Sequence, residues 1–411
     1  MIRTLVTALL VGTAPAPPAA PVDTGPIPVT LVDAALEDSP LVTEAAARLR
    51  AAEAQARALG IGSHEFIVNG TYIRRTVDRE GGYDEFDTTL SRGIRLPGKA
   101  ALDRKAGTLG VEVAQNLLED ARHQAALELA TLWYDWLLAE AEVRVDAAAT
   151  ASFEASLAAV DRQVALRDAA PLDADQVRAA RDGARAQEAA ARGRAAAARA
   201  GIAAQFPGLA LPAGVPDIAA PALPPEGLAQ WRDLVLSRSH EIRAAELEAE
   251  RLAVLAARAR QDRFADPSVG VRAFSERSGA EKGIGIVASL PLGGAYRRAI
   301  GDQAVADRSA AEAKLVATRR DIGATANMDL ATANAGISAW QAAAAAADSS
   351  GTAAERLRRG RKLGSTDLAT LLYAERQALD SRRAELAARA AAVRAILKLR
   401  IDAHLIWAKP E

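Results

Sequence analysis

The chain has 411 residues, length enough for two or three ordinary domains, yet only 4% of them are aromatic. Alanine-rich tracts such as residues 188–200 leave little bulky side chain for a thick core; they suit helices packed closely along their lengths. The net charge of −1, from 51 basic and 52 acidic residues interleaved, gives no pull toward nucleic acid, and the absence of cysteine excludes disulfides, thiolate metal sites, cysteine catalysis and a lipidated N-terminal Cys.

Met1-Ile2-Arg3, an apolar run over 5–11 and small residues with prolines through Pro21 read as a secretory signal peptide over about residues 1–20. That run is too short to span a bilayer, and no later segment approaches the ~20 apolar residues of a spanning helix. If the protein crosses a membrane, it does so with strands. Residues 30–59 read as helix, with Asp38-Ser39-Pro40 marking a break and a new start. A β-hairpin is expected over about 63–96, where Phe66, Val68 and Tyr72 alternate with other residues in the period of a two-faced strand. From Lys99 to about Asp168 there is no proline, so a continuous helix there would be roughly 100 Å long. Within it Ala125, Leu129, Leu132, Trp136, Ala139 and Val143 form a coiled-coil seam. A turn at about 169–173 leads into a return helix that ends near Phe206.

Residues 207–230, rich in Pro, Gly and Ala, are expected to link two structural repeats, 21–206 and 231–411. The second repeat restates the first: a helix over 231–263, a hairpin over 266–292, a long helix from about Ala295 to Arg359, a tip at about 361–367 and a return helix ending near Leu405. In that last helix Leu372, Leu379, Leu386 and Val393 recur every seven residues, a period that imposes a left-handed supercoil.

This order of elements resembles the TolC-type outer-membrane efflux proteins. The segment Leu363-Gly364-Ser365-Thr366-Asp367 and the residues after it to Leu379 resemble the family's second tip. Asp266-Pro267 leading to Gly270, and on to Leu290-Pro291-Leu292-Gly293, resembles its second hairpin. Arg95-Leu96-Pro97-Gly98-Lys99 is similar to the hairpin exit of the heavy-metal efflux (CzcC-like) branch, with Pro97 in place of a glycine.

The resemblance implies a mainly α protomer with four strands, assembled as a homotrimer whose twelve-stranded β-barrel in outer-membrane lipid continues as an α-helical barrel across the periplasm. It implies a passive exit duct working with a periplasmic adaptor and an inner-membrane pump, of RND type by preference, with metal ions the favoured cargo and drug efflux or type I secretion the other options. The rival reading is a periplasmic adaptor or scaffold built on helical hairpins. In the family the two inter-helix turns gate the tube and meet the adaptor; here those are Ala170, Pro171, Leu172 and Asp173, and Gly364, Ser365, Thr366 and Asp367. Some relatives carry aspartates six and nine residues after that glycine. This chain has Thr370 and Tyr373 there, which would line a constriction but supply no cation-attracting ring.

No enzyme is expected. The four histidines, His64, His123, His240 and His404, lie in different segments without metal-ligand spacing and read as isolated helix or surface residues. Met1 and Met328 are the only methionines, so there is no thioether path for Cu(I), and no cofactor motif survives inspection. Arg74, Arg75 and Arg92 are expected to face a lumen or the loops, because Arg against the lipid midplane costs about 2–4 kcal/mol.

Overall fold

The computed structural model describes Ile27 and residues 29–212 and 214–407; the signal peptide expected over 1–20 lies outside the described residues. Two helices open each half. α1 (Val29–Glu37) breaks at Asp38-Ser39, and α2 (Pro40–Ile61) restarts with proline in its first turn, where a missing N–H costs nothing. α5 (Leu228–Arg238) and α6 (His240–Gln261) break at the matching place, where the Ser239 hydroxyl accepts the Ile242 N–H at 3.1 Å and caps α6.

Next come the hairpins, β1 (Phe66–Val77) with β2 (Gly81–Gly93), and β3 (Ser268–Glu276) with β4 (Glu281–Ser289). They join as one antiparallel sheet in the order β1-β2-β3-β4, which leaves the outer edges of β1 and β4 unpaired. The long helices follow: α3 (Lys99–Ala165) of 67 residues with α4 (Pro171–Gln205) of 35, and α7 (Ala295–Lys362) of 68 with α8 (Leu368–Asp402) of 35. At 1.5 Å per residue α3 and α7 are each about 100 Å long.

The core sits midway along α3. Leu129, Trp133, Trp136 and Leu137 pack there against Val32 and Leu36 of α1, Ile202 of α4, and Leu397 and Ile401 of α8. Burial here is wider than the seam expected from the sequence: Ala126, Ala130, Trp133, Tyr134 and Leu137 are buried as well, because helices cover α3 on several sides. Segment 206–227 has no helix or strand among its described residues, yet it is more than a connector. Phe206, Leu209 and Ile218 are buried in the same core, and Arg389 donates to the Ile218 carbonyl at 3.2 Å, so the segment straps the middle of the bundle. α7 is the opposite case. Of its 68 residues only Gly301, Ala326, Ala333, Ile337 and Ala354 are buried.

Candidate functional site: a two-faced sheet, its junction and the helix tips

The strand register sorts the sheet into two faces. One carries four successive rows: Phe66, Arg92, Val269 and Ala288; then Val68, Leu90, Val271 and Ile286; then Gly70, Thr88, Ala273 and Ile284; then Tyr72, Phe86, Ser275 and Lys282. The middle two rows contain no charge, and their large side chains stand in the open, Ile284 at 83% and Ile286 at 85% exposed. Aromatic residues mark both outer rows. Tyr72 and Phe86 have ring centroids 5.2 Å apart, and the Arg92 guanidinium lies 4.9 Å from the Phe66 ring centre. Those rows are six residues apart, about 20 Å along the strand.

The other face carries Asn69, Thr71, Thr89 and Ser91 at mid-strand with the Arg272–Asp87 ion pair, and Arg75–Glu85 at 2.7 Å toward the hairpin loops; Ile67, Ile73 and Phe274 share it. Arg75 stands on this polar face. Arg74 and Arg92 share the apolar face and sit at its two rims, Arg74 toward the hairpin loop beside Asp84 at 3.7 Å and Arg92 donating to the His64 carbonyl at 3.0 Å. A long arginine at a rim carries its charge away from the uncharged rows.

At the foot of the sheet the two hairpins are tied by charge. Gly98, at φ +89°, turns the chain into α3 and delivers Lys99 to the interior. The Lys99 side chain is 2% exposed, and its ammonium meets Asp266 at 2.8 Å, Asp262 at 2.9 Å and the Phe264 carbonyl at 2.7 Å. Burial pushes the Asp266 carboxyl up, but hydrogen bonds from Lys99, the Leu96 N–H and His64 outweigh it and hold the group at about 2. Asp103 of α3 joins the cluster through Arg95 at 3.0 Å and Arg258 at 2.7 Å. Lys99 and Asp266 belong to the two segments that resemble family hairpin motifs. The sequence gives no sign that they meet, because 167 positions separate them.

The tips are capped turns. α3 ends at Ala165, Arg167 takes the left-handed conformation at φ +64°, and Ala170 precedes Pro171, the first residue of α4. Leu172 is exposed, and Asp173 accepts the Ala170 N–H at 3.3 Å, half of a capping box. At the second tip Gly364 has φ +78°. The Ser365 N–H bonds the Gly360 carbonyl at 2.9 Å and the Gly364 N–H bonds the Arg361 carbonyl at 3.1 Å, the paired bonds of a Schellman motif. Thr366 follows, and Asp367 caps α8: one carboxylate oxygen accepts the Thr370 N–H at 2.8 Å, the other the Thr370 hydroxyl at 2.6 Å. Those bonds hold the Asp367 carboxyl below its ordinary range. Thr370 is therefore engaged by the cap, whereas Tyr373 one turn on is 71% exposed. The tips lie side by side, since Leu157, Val160, Ala174 and Val177 pack with Leu368.

The histidines are not isolated. His123 of α3, His240 at the start of α6 and His404 beyond α8 converge, with His404 ring centres 5.3 Å from His123 and 4.8 Å from His240. His123 meets Asp402 at 3.0 Å and His240 meets Asn116 at 3.3 Å, while both ring nitrogens of His404 are buried without a partner. No group of three or more His, Asp or Glu among the described residues is arranged to hold a metal ion. Burial, then the neighbouring His123 and His240, lower the His404 pKa to about 4, against the opposing pull of Glu241 and Asp402.

A group depressed in the folded state leaves the unfolded chain binding more protons between pH 6.5 and 4. The His404 contribution is thus complete above pH 6.5 and is lost as pH falls through that window, by at most about 3 kcal/mol and by less to the extent that solvent screens this partly exposed ring. His404→Asn, which tolerates the φ of +55°, is expected to flatten the thermal midpoint between pH 6.5 and 4; an unchanged pH profile would remove His404 as the cause.

Among the described residues no helix is long and apolar enough to cross a membrane. Compared with solved structures, the fold has close counterparts. A membrane protein from Pseudomonas aeruginosa superposes with a TM-score of 0.76 at 18% identity, over 91% of this chain and 89% of that one. The outer membrane protein VceC from Vibrio cholerae gives 0.73 at 19% identity, over 91% of this chain and 95% of that one. The open state of the Neisseria gonorrhoeae MtrE outer membrane channel gives 0.71 at 20%, over 91% of this chain and 88% of that one. No protein-family model and no curated relative matches the sequence. The chain has the fold of the TolC-type outer-membrane channels.

Proposed function

We propose that this chain is the outer-membrane channel of an efflux system: a homotrimer that passively conducts cargo received from a periplasmic adaptor and an inner-membrane pump, of RND type by preference. The observation that carries the reading is the two-faced sheet. An apolar face with two uncharged rows between aromatic rims suits lipid, and the opposite face, with its paired charges and hydroxyls, suits a water-filled lumen. Open edges on β1 and β4 are untenable in hydrocarbon, and three sheets of four strands would close them into a barrel of twelve. The bare length of α7 favours the same trimer, because a helix of 68 residues with five buried positions needs a neighbour along its length. A periplasmic scaffold has no use for the apolar face. Resemblance at 95–99 favours metal ions as cargo, which the pump would select.

The tips would close the resting channel and meet the adaptor. The mature protein, extracted in detergent, is expected to run as a trimer and to show a small, mostly closed conductance in a planar bilayer. Asp367→Ala removes the acceptor of the Thr370 N–H and frees the first turn of α8, so conductance should rise several-fold; Asp367→Asn keeps that acceptor and should stay near the parent. Equal conductance in all three proteins would move the gate elsewhere. A soluble monomer that does not conduct would end the channel reading.

A further inference from the structure

An open pocket of about 640 Å³ lies between the end of α6 and the start of α7, lined by Arg260, Arg263, Arg297 and Arg298 with Gly301 and Asp302. None of the four guanidinium groups has a carboxylate within 4 Å among the described residues; Arg263 donates to the Arg260 carbonyl and Arg297 to the Asp262 carbonyl, while the side chains of Arg260 and Arg298 make no hydrogen bond at all. Four arginines against Asp302 alone leave a surplus of three positive charges (4 − 1) in one cavity. Their neighbours at the same level contrast with this: Arg95, Lys99 and Arg258 are all neutralised by Asp103, Asp262 or Asp266.

Position narrows the ligand. Arg263 stands five residues before the start of β3 at Ser268, and Arg297 eight residues after the end of β4 at Ser289. The pocket therefore lies at the foot of the sheet, at the end where the row of Phe66, Arg92, Val269 and Ala288 stands. The chain between them exposes Phe264 at 72%, Leu290 at 63%, Leu292 at 90% and Tyr296 at 78%. Planar guanidinium forks match phosphate oxygens, and exposed apolar and aromatic side chains beside them suit the boundary between headgroup and acyl chain.

We propose that this pocket binds the phosphate of an anionic diacyl phospholipid in the leaflet facing the periplasm, anchoring the sheet at a fixed depth. The proposal rests on the reading of the sheet as membrane-embedded, and it adds a ligand class to it. Arg260→Gln/Arg298→Gln is the clean probe, because neither side chain has a partner whose loss would disturb folding.

For the full-length trimer in detergent, added phosphatidylglycerol is expected to raise the thermal midpoint several degrees more than phosphatidylcholine, and the double variant is expected to lose that difference while keeping its midpoint without lipid. A phosphatidylglycerol effect that survives in the variant overturns the site. An equal effect from inorganic phosphate overturns the lipid as its source. A variant that runs as a monomer overturns it too, by placing the arginines against the neighbouring protomer. Bilayer conductance of the same preparations tests the channel reading separately: a protein that conducts but shows no lipid preference loses only this site.

Discussion

Lys99→Met is expected to lower protomer stability by about 3–5 kcal/mol, the cost of stripping one partner from a buried ion pair. Methionine fills much the same volume, so the loss comes from charge rather than from a cavity. Asp266 would keep the Leu96 N–H and His64, and Asp262 would keep Arg258, which places the expectation toward the lower end of that range. The low pKa of Asp266 makes its contribution present above about 3.8 and lost only as pH falls toward 2, so the full effect is read at neutral pH. Adding Asp266→Asn to Lys99→Met should recover part of the loss, since a neutral amide still accepts the Leu96 N–H and no longer strands a carboxylate. Thermal midpoints of the four proteins form the cycle. If the double variant is as unstable as the sum of the singles, the ion pair is not what ties the hairpins together.

The same cluster shows what a single sequence reveals and what it hides. Local patterns were legible: the Ser39-Pro40 helix start, the alternation of Phe66, Val68 and Tyr72, and the turn at about 361–367 each follow from a few adjacent residues. A mainly α chain with four strands could be read from them because each pattern carries its own period or its own dihedral demand. Contacts between distant segments were not legible. Lys99 meets Asp266, and His404 meets His123 and His240, only because two hairpins and the helices α3, α6 and α8 bring them to one place. Spacing rules for metal ligands test residues on one helix face and are blind to that convergence. The strap misled for another reason. Prolines and glycines report an irregular backbone correctly over 207–227, while 228–230 already belong to α5, and they say nothing about burial: Phe206, Leu209 and Ile218 are in the core.

The faces of the sheet yield the second large expectation. Ile286→Arg puts a guanidinium in an uncharged row of the apolar face, beside Val271 and two positions from Ile284. If that row meets lipid, the cost is about 2–4 kcal/mol per protomer, and a trimer carries it three times. Asn69→Arg lies at a similar level on β1 but on the face shared with Thr89 and Arg272, where water would solvate the new charge. There the cost should stay below about 1 kcal/mol, within the ordinary range for exposed positions. Trimer recovered from outer membranes, and insertion of the purified protein into vesicles, read both variants. Failure of Ile286→Arg with survival of Asn69→Arg fixes the lipid side. The reverse would turn the barrel inside out and make Tyr72, Phe86 and the two isoleucines lumen residues. Equal survival would mean that neither face meets lipid, because an uncharged row in water has no reason to reject an arginine.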